Sequence, residues 1–179
     1  MSPMVRQPMT IEHALLGFLR EKPLHGYEIH RRISDPEGLG LVWQVKQSQL
    51  YALLGKLEES GYVTGELEPQ GSRPPRKIYS LTEAGSRTFA EWVGSPVPHG
   101  REMRLNFMVK LYFARKEGKN IVSRLVEEQR GMCVRWLDVV EVSTDGDPGS
   151  FRNLIEGFRA GQIEAMLEWL DLCESQYSK

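Results

Sequence analysis

In TIEHALLGFLR, residues 10–20, Ile11, Ala14, Leu15, Phe18 and Leu19 recur at helical spacing, which predicts a first helix with Thr10 as its N-cap. Lys22, Pro23 and Leu24 interrupt it. HGYEIHRRISD resumes the pattern with Tyr27, Ile29 and Ile33 apolar and Arg31 and Arg32 pointing outward, a second and shorter helix. The Gly- and Pro-bearing stretch PEGLGLVWQV leads to QSQLYALLGKLEESG. There Leu50, Leu53, Leu54 and Leu57 form an apolar stripe, Ser48 is placed to cap the start, and Gly61 stops this third helix.

Beyond Gly61 the pattern alternates. Tyr62, Thr64 and Glu66 face away from Val63, Gly65 and Leu67, and in KIYSL Ile78 and Ser80 alternate with Tyr79 and Leu81, so two short antiparallel strands are expected. Their connection, roughly residues 69–76, holds Gly71, Pro74 and Pro75 and is longer than a tight hairpin turn. TEAGSRTFAEWV then starts a fourth helix with Thr82 as its N-cap. Three helices, a two-stranded ribbon and a trailing helix are the order of a winged helix-turn-helix, the ribbon being the wing.

The run GSPVPHG, residues 94–100, marks a boundary. After it, MRLNFMVKLYFARK, NIVSRLVEEQRGMCVRWLDVVEV and FRNLIEGFRAGQIEAMLEWLDLCESQ read as three more helices, with TDGDPGS between the last two. The expected organisation is a winged helix-turn-helix over residues 8–93, a linker over 94–102 and an all-helical domain over 103–179, a mainly α chain with a two-stranded β wing. Leu105, Met108, Leu111, Tyr112, Leu125, Trp136, Phe158, Met166 and Trp169 are among more apolar residues than three thin helices bury by themselves, so a second copy of the chain is expected to cover part of them. A purely intramolecular bundle, or a ligand cavity lined by Met108, Trp136, Met166 and Trp169, would use the same residues differently.

Composition narrows the chemistry. At 179 residues, with 40% hydrophobic and 26% charged residues and a formal net charge of −1, any basic surface must be local. No apolar run approaches a membrane span and the N-terminus lacks a signal pattern, so a cytoplasmic protein is expected. Cys133 and Cys173 lie far apart without a CxxC partner and read as reduced core thiols. His13, His25, His30 and His99 form no ligand set, and no phosphate loop, nucleophile elbow or paired-carboxylate framework appears, so neither a metal, a cofactor nor an enzyme is implied.

The remaining chemistry is local positive charge beside a helix with a polar start. Lys46, Gln47, Ser48 and Gln49 open the third helix opposite its leucines, and amides and hydroxyls there suit base edges or phosphates in a major groove. Tyr51 and Lys56 extend that surface towards a DNA backbone, although the same residues also suit a solvated helix. Arg73, Arg76 and Lys77 lie within five residues on the wing, and no acidic residue occurs between Glu68 and Glu83 to neutralise them.

The chain resembles the PadR family of bacterial transcriptional regulators. LHGYEI at 24–29, WQVKQSQLY at 43–51 with Leu54, Leu57, Glu58 and Gly61-Tyr62-Val63, RKIYSLTEAG at 76–85 and FMVKLYF at 107–113 carry the resemblance, in order, over about residues 10–115. It implies a dimeric winged-helix repressor, with the third helix and wing on a pseudo-palindromic operator and the C-terminal helices forming the dimer. Relatives that respond to phenolic acids release DNA on binding an aromatic acid, whereas others answer to different signals, so a small-molecule effector is implied only as a class. Gln47-Ser48-Gln49 stands where many relatives have smaller residues around a glycine, which alters the bases read. The competing expectation is a winged-helix module that senses a ligand or binds protein without strong specific DNA affinity.

Overall fold

The computed structural model describes residues 9–71, 73–140 and 149–177, and at 73 and 74 the backbone only. In chain order its elements are α1 (Thr10–Leu19), β1 (Leu24–His25), α2 (Gly26–Ile33), α3 (Gln47–Glu59), β2 (Val63–Gln70), β3 (Arg73–Leu81), α4 (Glu83–Val93), α5 (Met108–Glu117), α6 (Lys119–Asp138) and α7 (Phe151–Tyr177). A single π-type turn, Met103–Phe107, runs into α5. Among the described residues no helix is long and apolar enough to cross a membrane. Most of TDGDPGS lies outside the described residues.

The chain divides into two compact units, one running to Val93 and including Met108–Phe113, the other made of Gly94–Phe107 and the chain from Ala114 onward. In the first, Leu15, Phe18 and Leu19 of α1 pack with Ile29 and Ile33 of α2, the α3 leucines and Phe89 of α4, all buried. Phe113 closes this core, its ring edge-on to Phe18 at 5.2 Å and to Phe89 at 5.6 Å. Gly17 leaves room for it: a β-carbon there would lie 2.6 Å from the Phe113 ring and 2.7 Å from that of Phe89.

Helix starts are set differently from the pattern reading. Thr10 is the first residue inside α1 rather than its cap, and Glu12 instead reaches back to accept the Met9 N–H at 2.7 Å. The same device opens α2, where Glu28 accepts the His25 N–H at 2.9 Å. α3 begins at Gln47, one residue before Ser48, with Lys46 in the N-cap position and no side-chain cap. Thr82 does cap α4, its hydroxyl accepting the Gly85 N–H at 3.0 Å.

The sheet has three strands in the order β1-β3-β2. The third is the pair Leu24 and His25, opposite Tyr79 and Ile78, too short to show a period in sequence. The wing ladder runs from Val63↔Leu81 through Glu68↔Arg76 to Gln70↔Arg73, with an irregularity between Glu68 and Gln70. The expected loop over 69–76 is therefore mostly strand, and Gly71 makes the turn with φ +62.

Besides Glu12, Lys110 and His13 are buried polar residues of the first unit. Lys110 donates to the Trp92 carbonyl at 2.6 Å and lies 4.7 Å from the centre of the Trp92 ring, so its charge sits at the negative end of α4, in its last turn. His13 stacks on the same Trp92 ring at 4.7 Å, with Nδ1 3.0 Å from the Met9 carbonyl. Burial pushes the His13 pKa down to about 4.

In the second unit Val122, Leu125 and Val126 of α6 and Ile163 and Leu170 of α7 are buried, and Phe107 meets Trp169 edge-on at 5.8 Å. Gln129, fully buried, ties the segment before α5 to α6 by accepting the Val97 N–H at 2.7 Å. Cys133 and Cys173 are free and buried, and burial raises the Cys173 thiol to about 11.

Candidate nucleic-acid interface

The four leucines of α3 are covered, Leu50 and Leu54 completely. Burying each is worth roughly 1.5–3 kcal/mol, so α3 cannot roll without a loss of several times that. Its other face is thereby held outward. Lys46, Gln47, Ser48, Gln49, Tyr51 and Lys56 are all exposed, and Ser48, relieved of capping, presents its hydroxyl on that face. His30 of α2 fixes the approach to the helix, its Nε2 2.9 Å from the Val45 carbonyl just before α3. Tyr51 lies against the start of α2 because Gly26 has no β-carbon to strike its ring.

The wing stands beside this face, and its cations are not equivalent. Arg76 is exposed, with its guanidinium 5.5 Å from the centre of the Tyr27 ring. Lys77 is engaged: its Nζ sits 2.5 Å from Glu58 Oε2, and that hydrogen bond raises the lysine pKa. A β-carbon at Gly65 would run into the Lys77 side chain, so the glycine makes room for the pair. The neutralising carboxylate thus comes from α3, outside the acid-free stretch between Glu68 and Glu83. Nothing is described of the Arg73 side chain.

Two residues join the surface that helix and wing patterns alone do not single out. Tyr27, 45% exposed for all its aromatic bulk, and Arg31 four residues on share one face of α2. With Ser34, Asp35 and Gln47 they line an open depression of about 840 Å³ between α2 and the start of α3. The outward arginine pair is the sequence signal for Arg31, whereas Tyr27, which reads along the chain as apolar with Ile29 and Ile33, is exposed while those two are buried. Arg32, the other member, is bonded to Glu21 at 3.2 Å.

The residues expected to meet a second copy divide. Leu125 is fully buried and Leu111 nearly so, within the single chain, so neither side chain is offered to a partner. Met108, Tyr112, Trp136, Met166 and Trp169 are half-buried. Trp136 and Met166 both lie 3.8 Å from where a β-carbon on Gly100 would stand. Leu105 and Phe158 are exposed, and Phe158 continues a row with Phe151 and Leu154 along α7, all at least 60% exposed.

Residues 15–91, which span the helix-turn-helix and the wing, match the model of the transcriptional regulator PadR-like family. The negative transcriptional regulator PadR of Bacillus subtilis is 33% identical over 120 residues, 67% of this chain and 65% of its own length, so this chain spans just under two thirds of that protein. A probable transcriptional regulator of Mycobacterium tuberculosis is 30% identical over 186 residues, 91% of this chain and 95% of its own. Among solved structures, Bacillus subtilis PadR in complex with operator DNA is similar at a TM-score of 0.49 and 27% identity, covering 92% of this chain and 96% of that one. Matched almost end to end by the mycobacterial regulator and carrying the family's pattern through α2, α3 and the wing, the chain belongs to the PadR-like family of transcriptional regulators.

Proposed function

We propose that the protein is a dimeric repressor that reads a pseudo-palindromic DNA operator with α3 and grips its backbone with the wing and α2. The observation that carries the reading is the exposed polar start of α3, held outward by four buried leucines beside an exposed wing arginine. Gln47, Ser48 and Gln49 are the base-reading candidates, an amide being able to make paired hydrogen bonds to adenine. Lys46, Tyr51, Lys56, Arg73 and Arg76 supply phosphate contacts, which set affinity and orientation. Lys77 positions the wing. Repression is supported by the description of the Bacillus relative as a negative regulator.

The exposed row Phe151, Leu154 and Phe158 supports pairing of two copies through the C-terminal helices, with Leu105, Met108, Tyr112, Trp136, Met166 and Trp169 as the other candidates. Two readers related by a two-fold axis would recognise half-sites about one helical turn apart. A small-molecule or other signal that shifts this pairing would release the operator. No catalytic role is assigned to any residue.

The test is a gel shift with duplex DNA from upstream of the protein's own gene in the presence of excess random competitor. A complex that survives competition is expected, and Gln49→Ala should weaken it by about 1–3 kcal/mol while leaving random-DNA binding unchanged. Loss of the complex in competitor for the unaltered protein would remove the sequence-specific reading.

A further inference from the structure

We propose that Tyr27 is a positioning residue that presents the wing arginine Arg76 to a DNA phosphate, so that the outer face of α2 and the wing act as one backbone-binding site. The inference rests on the DNA-binding reading above and assigns a role within it that neither helix nor wing reveals alone.

Arg76 sits 5.5 Å from the centre of the Tyr27 ring. A guanidinium held over an aromatic ring keeps its N–H groups at its rim, free for a planar acceptor such as a phosphate. The obvious competitor is Glu68, the cross-strand partner of Arg76. Its carboxylate is taken by another residue: Glu68 Oε2 lies 3.3 Å from His25 Nε2. The other nitrogen of His25 is 3.3 Å from the Lys77 carbonyl, and its ring lies nearly parallel to Tyr27 at 6.4 Å. His25 is also the strand residue of β1 that pairs with Ile78. Histidine, tyrosine and wing are therefore tied together, and among the described residues no carboxylate is paired with Arg76.

What this leaves is a strip of fixed direction. Arg31 is one turn along α2 from Tyr27, and both border the depression that reaches Gln47 in the first turn of α3. Two exposed arginines flank an exposed tyrosine beside the base-reading end of a helix, on an open surface. An extended anionic strand fits this arrangement better than a single small anion, and the sugar-phosphate backbone on the flank of the groove occupied by α3 is such a strand.

The experiment is a fluorescence-anisotropy titration of the full chain with a labelled random-sequence duplex, since phosphate contacts need no operator. Arg76→Ala should flatten the slope of log affinity against log salt by about 0.9 per protomer. A cation over an exposed ring gains roughly a two- to fivefold bias in position, so Tyr27→Leu should weaken binding by about that factor per protomer. In the Arg76→Ala background the same change should do nothing, and Tyr27→Phe, which keeps the ring, should bind as the unaltered protein does. Urea midpoints check that each variant is folded. The inference is overturned if Tyr27→Leu weakens binding equally with and without Arg76, if Tyr27→Phe loses as much as Tyr27→Leu, or if Arg76→Ala leaves the salt slope unchanged. In those cases the unaltered chain still binds DNA; if it shows no salt-dependent binding at all, the DNA-binding reading falls with it.

Discussion

Lys77 separates two accounts of the wing, and removing it has a calculable effect in each. Its ammonium donates to Glu58 at 2.5 Å, and both side chains are about one third exposed, 36% and 32%. A fully exposed pair is worth about 0.2–1 kcal/mol and a hydrogen bond between charged groups about 1.5–3. At this partial exposure the net value is about 1 kcal/mol. Lys77→Ala should therefore lower unfolding stability by about that amount, and so should Glu58→Ala. The double variant should cost little more than either alone, because the coupling between contacting residues is the interaction itself. Urea denaturation of the four proteins of the cycle measures it.

The pH sign follows from the direction of the shift. Hydrogen bonding to Glu58 raises the lysine pKa above its unfolded value of 10.5, so this contribution is fully present below that value and is lost as pH rises through the higher folded one. The DNA side of the prediction is a null effect: Lys77→Ala should leave the salt slope on random DNA within about half of the 0.9 expected for one lost phosphate contact per protomer. A slope flatter by about 0.9 per protomer with unchanged urea stability would refute the reasoning, since Lys77 would then be spent on phosphate and its bond to Glu58 would be incidental.

Two further outcomes follow from other parts of the chain. Phe158→Asp, at a position 63% exposed on α7, should shift the sedimentation coefficient from dimer to monomer without loss of helical circular dichroism; a persistent dimer moves the interface off this row. His13 has a pKa of about 4 folded against 6.5 unfolded, so the unfolded chain binds the extra proton in that interval and stability present above pH 6.5 declines as pH falls towards 4. At about 1.4 kcal/mol per unit, His13→Gln should remove a component of about 2 kcal/mol from the stability difference between pH 7 and pH 5, read from urea midpoints; an unchanged pH dependence would show that His13 titrates normally in the folded protein.

The elements were legible because burial leaves its period in the chain. The leucines at 50, 53, 54 and 57 announce α3 and its buried face, and with that face assigned the exposed positions 46–49 follow by geometry. The shift to alternation after Gly61 announces the wing, and Thr82 announces the start of α4 because a cap acts over three residues. Local rules read local facts. The pairing of β1 with β3 lay beyond them, since two residues carry no period and the partner strand is more than fifty residues away.

Tertiary contacts decided which of the legible residues are available for function. Lys77 looks like its neighbour Arg76 along the chain, yet Glu58, nineteen residues earlier, holds one while Tyr27 supports the other. Leu125 and Phe158 look alike as apolar helix residues, yet one is sealed in its own unit and the other exposed. FMVKLYF sits after the predicted boundary, yet Met108–Phe113 packs with the first unit because the Phe113 ring fills the space left by Gly17 between α1 and α4. Charge and hydrophobicity are written residue by residue, but their availability depends on what the fold brings within a few ångströms, and the free energy of a charge or an apolar side chain is set by those neighbours.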